Sequence, residues 1–475
     1  MFRVQEKGGE ITQYSDLQKS YHGIAARLDR LPIGKVQKKT LFILGGVIFC
    51  DSIDMSIGGP VIAQLLSTGW SDSGLNALFV SITMVGYLFG GLLSGVISDG
   101  IGRKKAALTL CALFSAGCLV GAAAPNMYFL IGCRFIMGLG LGGAYPCCYS
   151  TLSEFTPSKK RGQWQAYIAL VANSGTPVGA FLCMVILPMI GWRAIFLFCG
   201  LLGVVFFILT LKFVDESPRW LAVKGRNEEA HAQLCKYETQ AIEAGNSIEP
   251  VADDAIAEAA GAEQVKDLGW KFLFSKKMLG RTLSMFFAMF AMNVCVYTVV
   301  TWTPSIFVSR GFDVGYSTAM TCVMQAGIPC GVFLMSCLVE HFDRKKWFCV
   351  MLTIVGFAGL LWSQIPADQT IPIMIVGFIL CMLTYGWSTH ASAVYLPEVF
   401  PTQCRIRGTG ASNAFGRLGG ILSPFWIAFF ISQGNVTAVY LVSAAIALFA
   451  VIFMAIFGFE TRGKTLEEIN KGVIE

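Results

Sequence analysis

From Thr40 to Phe459 the chain alternates long apolar runs with short polar connections, and each run approaches the roughly 20 residues that a helix needs to cross a bilayer. Twelve spans are predicted. They begin near Thr40, Leu75, Ala106, Met127, Gln165, Arg193, Gly280, Val314, Trp347, Ile371, Gly408 and Thr437. Six precede and six follow a polar stretch, 214–279, where basic residues mix with acidic, alanine-rich segments such as "VADDAIAEAAGAEQ". That composition suits short amphipathic helices on the membrane surface, not a further span. The expectation is an all-α membrane protein with an N-terminal segment 1–39, a six-helix bundle 40–213, a central loop 214–279, a second six-helix bundle 280–459 and a tail 460–475.

Composition supports this and removes other classes. Hydrophobic residues make up 55% of the 475 and charged residues 14%, with a mean hydropathy of +0.61, too apolar for an ordinary soluble protein of this length. The 16 cysteines lie almost entirely in apolar runs, as Cys111, Cys147, Cys148 and Cys381 do, and are expected to be small buried hydrophobes. The polar N-terminus lacks the apolar core and cleavage site of a secretory signal, so the first span is expected to direct insertion. A formal charge of +6 invites a nucleic-acid partner, but the basic residues sit in short loops between spans, where topology explains them. Arg103, Lys104 and Lys105, then Lys159, Lys160 and Arg161, then Arg344, Lys345 and Lys346, then Arg405 and Arg407 all fall on one side; Arg193 and Arg310 fall on the other. By the positive-inside rule, both termini and the central loop are expected to face the cytoplasm of a bacterial inner membrane.

The two halves echo each other. "SDGIGRKK" returns as "VEHFDRKK" 241 residues later, aligning Asp99 with Glu340 and Arg103 with Arg344. "SEFTPSKKRG" returns as "PEVFPTQCRIRG" 244 residues later, aligning Glu154 with Glu398 and Arg161 with Arg405. "DESPR" and "FETRG" place Glu216 and Glu460 at the same 244-residue offset. Three echoes at nearly one offset imply two bundles related by an internal repeat, the build of a transporter whose halves rock about a central site.

"GVISDGIGRKK" matches the G-x-x-x-D-x-x-G-R-[RK] loop of the major facilitator superfamily at Gly95, Asp99, Gly102, Arg103 and Lys104. "CRFIMGLGLGGAYPCCYSTLSEFTPSKKRG", "VDESPRWL" and "FETRGKTLEE" resemble motifs of its sugar-porter and organic-ion branches, so the resemblance runs from Lys39 to Glu468. Val214 and Phe459 stand where those motifs have proline, which leaves the substrate open. The resemblance implies the major facilitator fold and a transporter, not an enzyme. In physical terms Gly95 and Gly102 permit tight turning and close helix approach, while Asp99 pairs with a neighbouring arginine. With Glu154, Arg161, Glu340, Arg344, Glu398 and Arg405, these residues form a candidate cytoplasmic gate; the alternative is that the charges only fix topology.

Asp51 and Asp54 stand three residues apart on one face of the first span, where an ionised carboxylate costs a few kcal/mol and usually serves a pathway or a proton. Arg134 in the fourth span is their expected partner, followed by Gly138, Gly140, Gly142 and Gly143, which allow neighbouring helices to come close. Resemblance sharpens this: in sugar porters a first-span acid and this arginine form a proton-sensitive pair, at positions matched by Asp54 and Arg134. D-x-x-D is also similar to the D-G-x-D motif of aromatic-acid/proton symporters, with Ser52 replacing its glycine. Asp54 is the favoured proton carrier over Asp51, and a permanent structural ion pair is the alternative.

Arg417, in "SNAFGRLGG" of the eleventh span, offers a guanidinium fork to a carboxylate and points to an organic anion as small-molecule substrate. Asn293, Tyr297 and Trp302, with Gln325, Trp387, His390, Asn173 and Asn413, are further candidates for stacking or orienting it. The expectation is proton-coupled symport of a small organic acid, with an aromatic carboxylate the favoured case, by a chain compatible with a functional monomer in its lipid bilayer. A sugar or polyol transporter and an uncoupled uniporter are the alternatives within the fold. No Walker A sequence, zinc-ligand cluster or nucleophile elbow supports an enzyme, and "GLGLGG" lies within a span without the strand-turn-helix setting a dinucleotide needs, so no cofactor or metal is expected.

Overall fold

The computed structural model describes residues 20–157, 160–248, 251, 256, 269–338, 341–401 and 404–461, and the described residues fold into helices without strands. Among the described residues twelve helical spans are long and apolar enough to cross a membrane: Lys35–Ser67, Ser73–Ile101, Arg103–Ala122, Met127–Phe155, Arg161–Met189, Trp192–Phe213, Leu279–Val300, Val314–Met335, Arg344–Gln364, Thr370–Val399, Arg407–Ser432 and Val436–Phe457. They match the twelve expected runs with starts displaced by up to five residues, the most at Lys35. There the first turn of the span is polar and hydropathy cannot see it.

Side chains that cap free helix N–H groups set several starts. Asp72 accepts from Leu75 N at 2.8 Å, Asn126 from Phe129 N at 2.9 Å and Asn435 from Ala438 N at 3.0 Å. Within the first half, the second and fourth spans pack at glycine contacts. A Cβ at Gly138 or Gly142 would stand 2.3 Å from the carbonyl oxygen of Thr83 or Tyr87, so only glycine allows this separation.

Two spans are broken near the middle, which the hydropathy pattern did not show. The fifth breaks at Ser174, where Asn173 Nδ2 donates back to the Ala169 carbonyl at 2.8 Å, Ser174 Oγ donates to Val171 at 2.7 Å, and Pro177 lacks the N–H that residue 173 would use. The eighth breaks at Ala326, where Pro329 likewise withholds a donor from the carbonyl of Gln325, four residues before it. The tenth carries a π-helical segment, His390–Tyr395.

The halves meet at mid-depth and on the side away from the termini. Ser56 Oγ donates to Gln325 Oε1 at 2.7 Å, Ser81 Oγ to the Ile421 carbonyl at 2.7 Å, and a Cβ at Gly59 would stand 2.1 Å from the Thr301 carbonyl oxygen. Toward the terminal side the seam opens: a Cβ at Gly95 would meet nothing within 4 Å, and Asn413 is exposed.

On the terminal side a collar of short helices covers the first half. The helix Tyr21–Arg30, which the sequence reading left within a polar segment, packs Ile24 and Leu28 against Trp220, Leu221, Leu234 and Tyr237. Arg27, 1% exposed, donates to both oxygens of Glu238 at 3.0 and 2.8 Å and lies 2.8 Å from His231 Nδ1. Burial pushes the nearby Cys235 thiol up from its ordinary value. The amphipathic helices expected in 214–279 are present as Pro218–Val223 and Asn227–Glu243; most of "VADDAIAEAAGAEQ" lies outside the described residues.

Candidate functional site in the seam between the halves

The first span carries Asp51 and Asp54 on one face, yet the two carboxylates take different partners. Asp54 Oδ1 accepts from Arg134 Nη1 at 2.6 Å, and the side chains are 1% and 5% exposed. Arg134 Nε donates to Thr83 Oγ1 at 3.0 Å, while its guanidinium lies 4.7 Å above the Phe79 ring. The other oxygen of Asp54 is buried and accepts no hydrogen bond among the described residues. Asp51 does not share Arg134, contrary to the sequence expectation. It accepts instead from the Tyr87 hydroxyl of the second span.

Arg417 approaches from the other half. Its Nη1 donates to the Tyr297 hydroxyl at 3.2 Å, and its guanidinium lies 5.3 Å from the Tyr87 ring centre. Asp51, Tyr87, Tyr145 and Tyr297 lie within its electrostatic reach. Tyr145, 43% exposed, faces Tyr149 with hydroxyls 3.4 Å apart, and Tyr385 comes within reach of Asp51, Tyr145 and Tyr297. One cation and one carboxylate therefore lie within electrostatic reach of each other across the seam, with tyrosines of both halves beside them.

The remaining candidates divide. Gln325 is at the seam with its amide engaged by Ser56 and by the Val300 carbonyl at 3.3 Å. Asn293, Asn173 and Asn413 each donate to the carbonyl four residues back, at 2.9, 2.8 and 3.0 Å. Trp302 is buried where the seventh span turns a corner beside Thr301. Trp387 and His390 are corrections: both are fully buried in the core of the second half, Trp387 against Phe348 and His390 with Nε2 3.1 Å from the Arg344 carbonyl. Their positions on the tenth span rotate them away from the seam. Tyr87, Tyr145, Tyr149 and Tyr385 were missed by sequence reasoning: Tyr87 and Tyr385 are single tyrosines in apolar runs, and the four-residue spacing of Tyr145 and Tyr149 was the one available signal.

The charged loop residues form two matching networks, each inside its own half. Arg103 binds Asp99 at 2.5 Å and Glu154 at 2.9 Å, and the N–H groups of Arg103 and Lys104 donate to Glu216 at 2.7 and 3.1 Å. In the second half Arg344 meets Glu398 at 3.4 Å, and the N–H groups of Arg344 and Lys345 donate to Glu460 at 2.9 and 3.0 Å. Glu216 and Glu460 thus cap the third and ninth spans, complementing the positive helix ends. Gly102, at φ +105°, is required here because a Cβ would stand 2.2 Å from the Glu216 carboxylate. No neighbour approaches Gly95 in this state. Arg161 Nε is buried with no hydrogen-bond partner among the described residues; Glu340 and the Arg405 side chain lie outside the described residues.

Comparison with known proteins agrees with this architecture. The model of the family described as "Sugar (and other) transporter" matches residues 54–472. The inner membrane metabolite transport protein YdjE of Escherichia coli (strain K12) is 35% identical over 95% of this chain and 99% of its own length. The niacin transporter NiaP of Acinetobacter baylyi (strain ATCC 33305 / BD413 / ADP1) is 29% identical over 94% and 99%. Among solved structures, the inward open conformation of the xylose transporter XylE from E. coli superposes with a TM-score of 0.70 at 19% identity, covering 91% of this chain and 98% of that one. This chain belongs to the sugar (and other) transporter family of the major facilitator superfamily, and it is a multi-pass membrane transporter, not an enzyme.

Proposed function

We propose that this transporter carries a small organic acid with a flat ring, coupled to a proton, across a bacterial inner membrane with both termini in the cytoplasm. The observation that carries the reading is Arg417, a guanidinium held by one tyrosine hydroxyl and facing Asp51 across an aromatic-walled seam. A carboxylate is the natural ligand of such a fork, and the tyrosines offer stacking faces for a ring. The similarity to a niacin transporter supports this class, niacin being a ring carboxylate.

Coupling follows from competition. While Asp51 is ionised it satisfies Arg417 electrostatically; a proton on Asp51 removes that competitor and frees Arg417 for substrate. The sequence favoured Asp54 as proton carrier, but its arginine lies in the same half, so its protonation would act on packing between the first, second and fourth spans. Its unpartnered oxygen is a site where a proton can bind while the other oxygen holds Arg134. With the termini in the cytoplasm, as proposed, the open seam on the terminal side and the closed far side correspond to an inward-facing state.

Proteoliposome uptake tests the reading, using labelled aromatic acids, aliphatic acids, sugars and polyols with and without an inward proton gradient. Gradient-driven uptake of a ring carboxylate, abolished in Arg417→Gln and made gradient-independent or abolished in Asp51→Asn, is expected. Sugar equilibration indifferent to Arg417→Gln and to the gradient would refute it and favour a sugar uniporter.

A further inference from the structure

A cavity of about 600 Å³ opens beside the collar, lined by the helix Asn227–Glu243, the start of the first span and the end of the sixth. Lys35 and Lys39, one turn apart on the first span, and Lys236 from the collar line it, with Asp215, Glu243 and Phe213. The carboxylates do not neutralise the lysines equally. Asp215 accepts from the Tyr237 hydroxyl at 3.0 Å and lies 3.9 Å from Lys236, whereas no carboxylate among the described residues makes an ion pair with Lys35 or Lys39. Lys39 Nζ stands 4.8 Å over the Phe213 ring. Both lysines lie in the first two turns of a 33-residue helix, whose positive end adds to their field.

The position also matters. The cavity sits where two spans leave the apolar layer, its wall including the half-exposed Phe213 and the stem of Val36. Cationic heads over an apolar wall at that depth suit an anion that carries its own apolar tail or short polyol. We propose that this cavity binds a phosphate-bearing anion: Lys35, Lys39 and Lys236 take the phosphate, and Asp215 and Glu243 accept from hydroxyls of the attached group. A phospholipid headgroup of the adjacent leaflet and a soluble phosphate ester share this chemistry. Bound there, the anion ties the first span, which carries Asp51 and Asp54, to the collar.

The test is native mass spectrometry of the detergent-solubilised full chain, titrated separately with phosphatidylglycerol, phosphatidylcholine and glycerol 3-phosphate. The triple variant Lys35→Gln, Lys39→Gln, Lys236→Gln is compared with the exposed control triple Lys271→Gln, Lys276→Gln, Lys277→Gln. Val36→Trp fills the cavity without removing charge, and melting without ligand checks folding. A loss of about tenfold or more in the cavity triple and in Val36→Trp, but not in the control, is expected. If phosphatidylglycerol alone shows that loss the source is lipid; if glycerol 3-phosphate alone shows it, the source is soluble. Binding unchanged in the cavity triple, equal loss in the control, or no preference for the anionic ligands over phosphatidylcholine overturns the proposal. None of these outcomes depends on which substrate the central seam carries.

Discussion

Replacing Asp54 by leucine leaves Arg134 as a buried cation whose remaining contacts are Thr83 Oγ1, Met137 Sδ and the Phe79 face. With charge centres about 4 Å apart, the lost attraction is about 4 kcal/mol at an effective dielectric of about 20. The cation–π contact with Phe79 is present in the parent as well and does not offset this loss. Breaking a buried pair by removing one partner costs about 3–5 kcal/mol, so a net loss of about 3 kcal/mol is expected for Asp54→Leu, and similarly for Arg134→Met. The double variant removes both charges and fills the space with apolar atoms of similar volume, so it should lie within about 1 kcal/mol of the parent. Unfolding can be followed with a thiol-reactive fluorogenic dye, because most cysteines, including Cys50, Cys118 and Cys148, are buried until the helices separate. Denaturant titrations of the four proteins in one detergent complete the cycle. A double variant less stable than either single, with additive losses, would refute the pairing as an energetic unit and with it the argument for a charge-sensitive first span.

Three further outcomes follow from particular contacts. Gly102→Ala combines a φ of +105° with a Cβ 2.2 Å from the Glu216 carboxylate and should cost about 1–3 kcal/mol in the same unfolding assay, while Gly95→Ala, with open space around it, should cost less than about 1 kcal/mol. Gly59→Ala presses a methyl group against the Thr301 carbonyl across the seam, whereas Gly58→Ala meets only a methyl carbon at 3.9 Å; transport should fall at least about tenfold in the first and persist in the second, and equal rates would remove the far-side contact from the cycle. Arg27→Ala deprives Glu238 of its bidentate partner and loosens the collar; Arg27 itself lowers the Cys235 thiol, but burial is the larger effect and raises it, so exposing the thiol should outweigh the loss of the arginine and alkylation of Cys235 should accelerate when followed by peptide mass spectrometry at pH 7. An unchanged Cys235 rate would mean that the collar holds without this network.

The number and placement of the spans were legible because bilayer crossing is a local requirement: about 20 apolar residues satisfy it whatever their neighbours do. The repeat was legible for a similar reason, since Glu216 and Glu460 cap helix ends that each half builds for itself. Arg134 and Asp54 were identifiable because a charge inside an apolar run needs a partner, and few were available. Rotation and depth were not legible. Trp387 and His390 look as suitable as Tyr297 in the sequence, but a helix turns by about 100° per residue, and only packing against Phe348 and the ninth span decided that they face the core. The division of Asp51 from Asp54 was equally out of reach, because it depends on Tyr87 arriving from a second span that glycine contacts, Gly138 and Gly142 among them, set against the fourth. The sequence by itself determined a twelve-span, twofold-repeated membrane transporter with buried acids in its first span. The tertiary structure alone decided which acid faces the other half, because contacts between distant helices, not spacing along one of them, set what each charge can see.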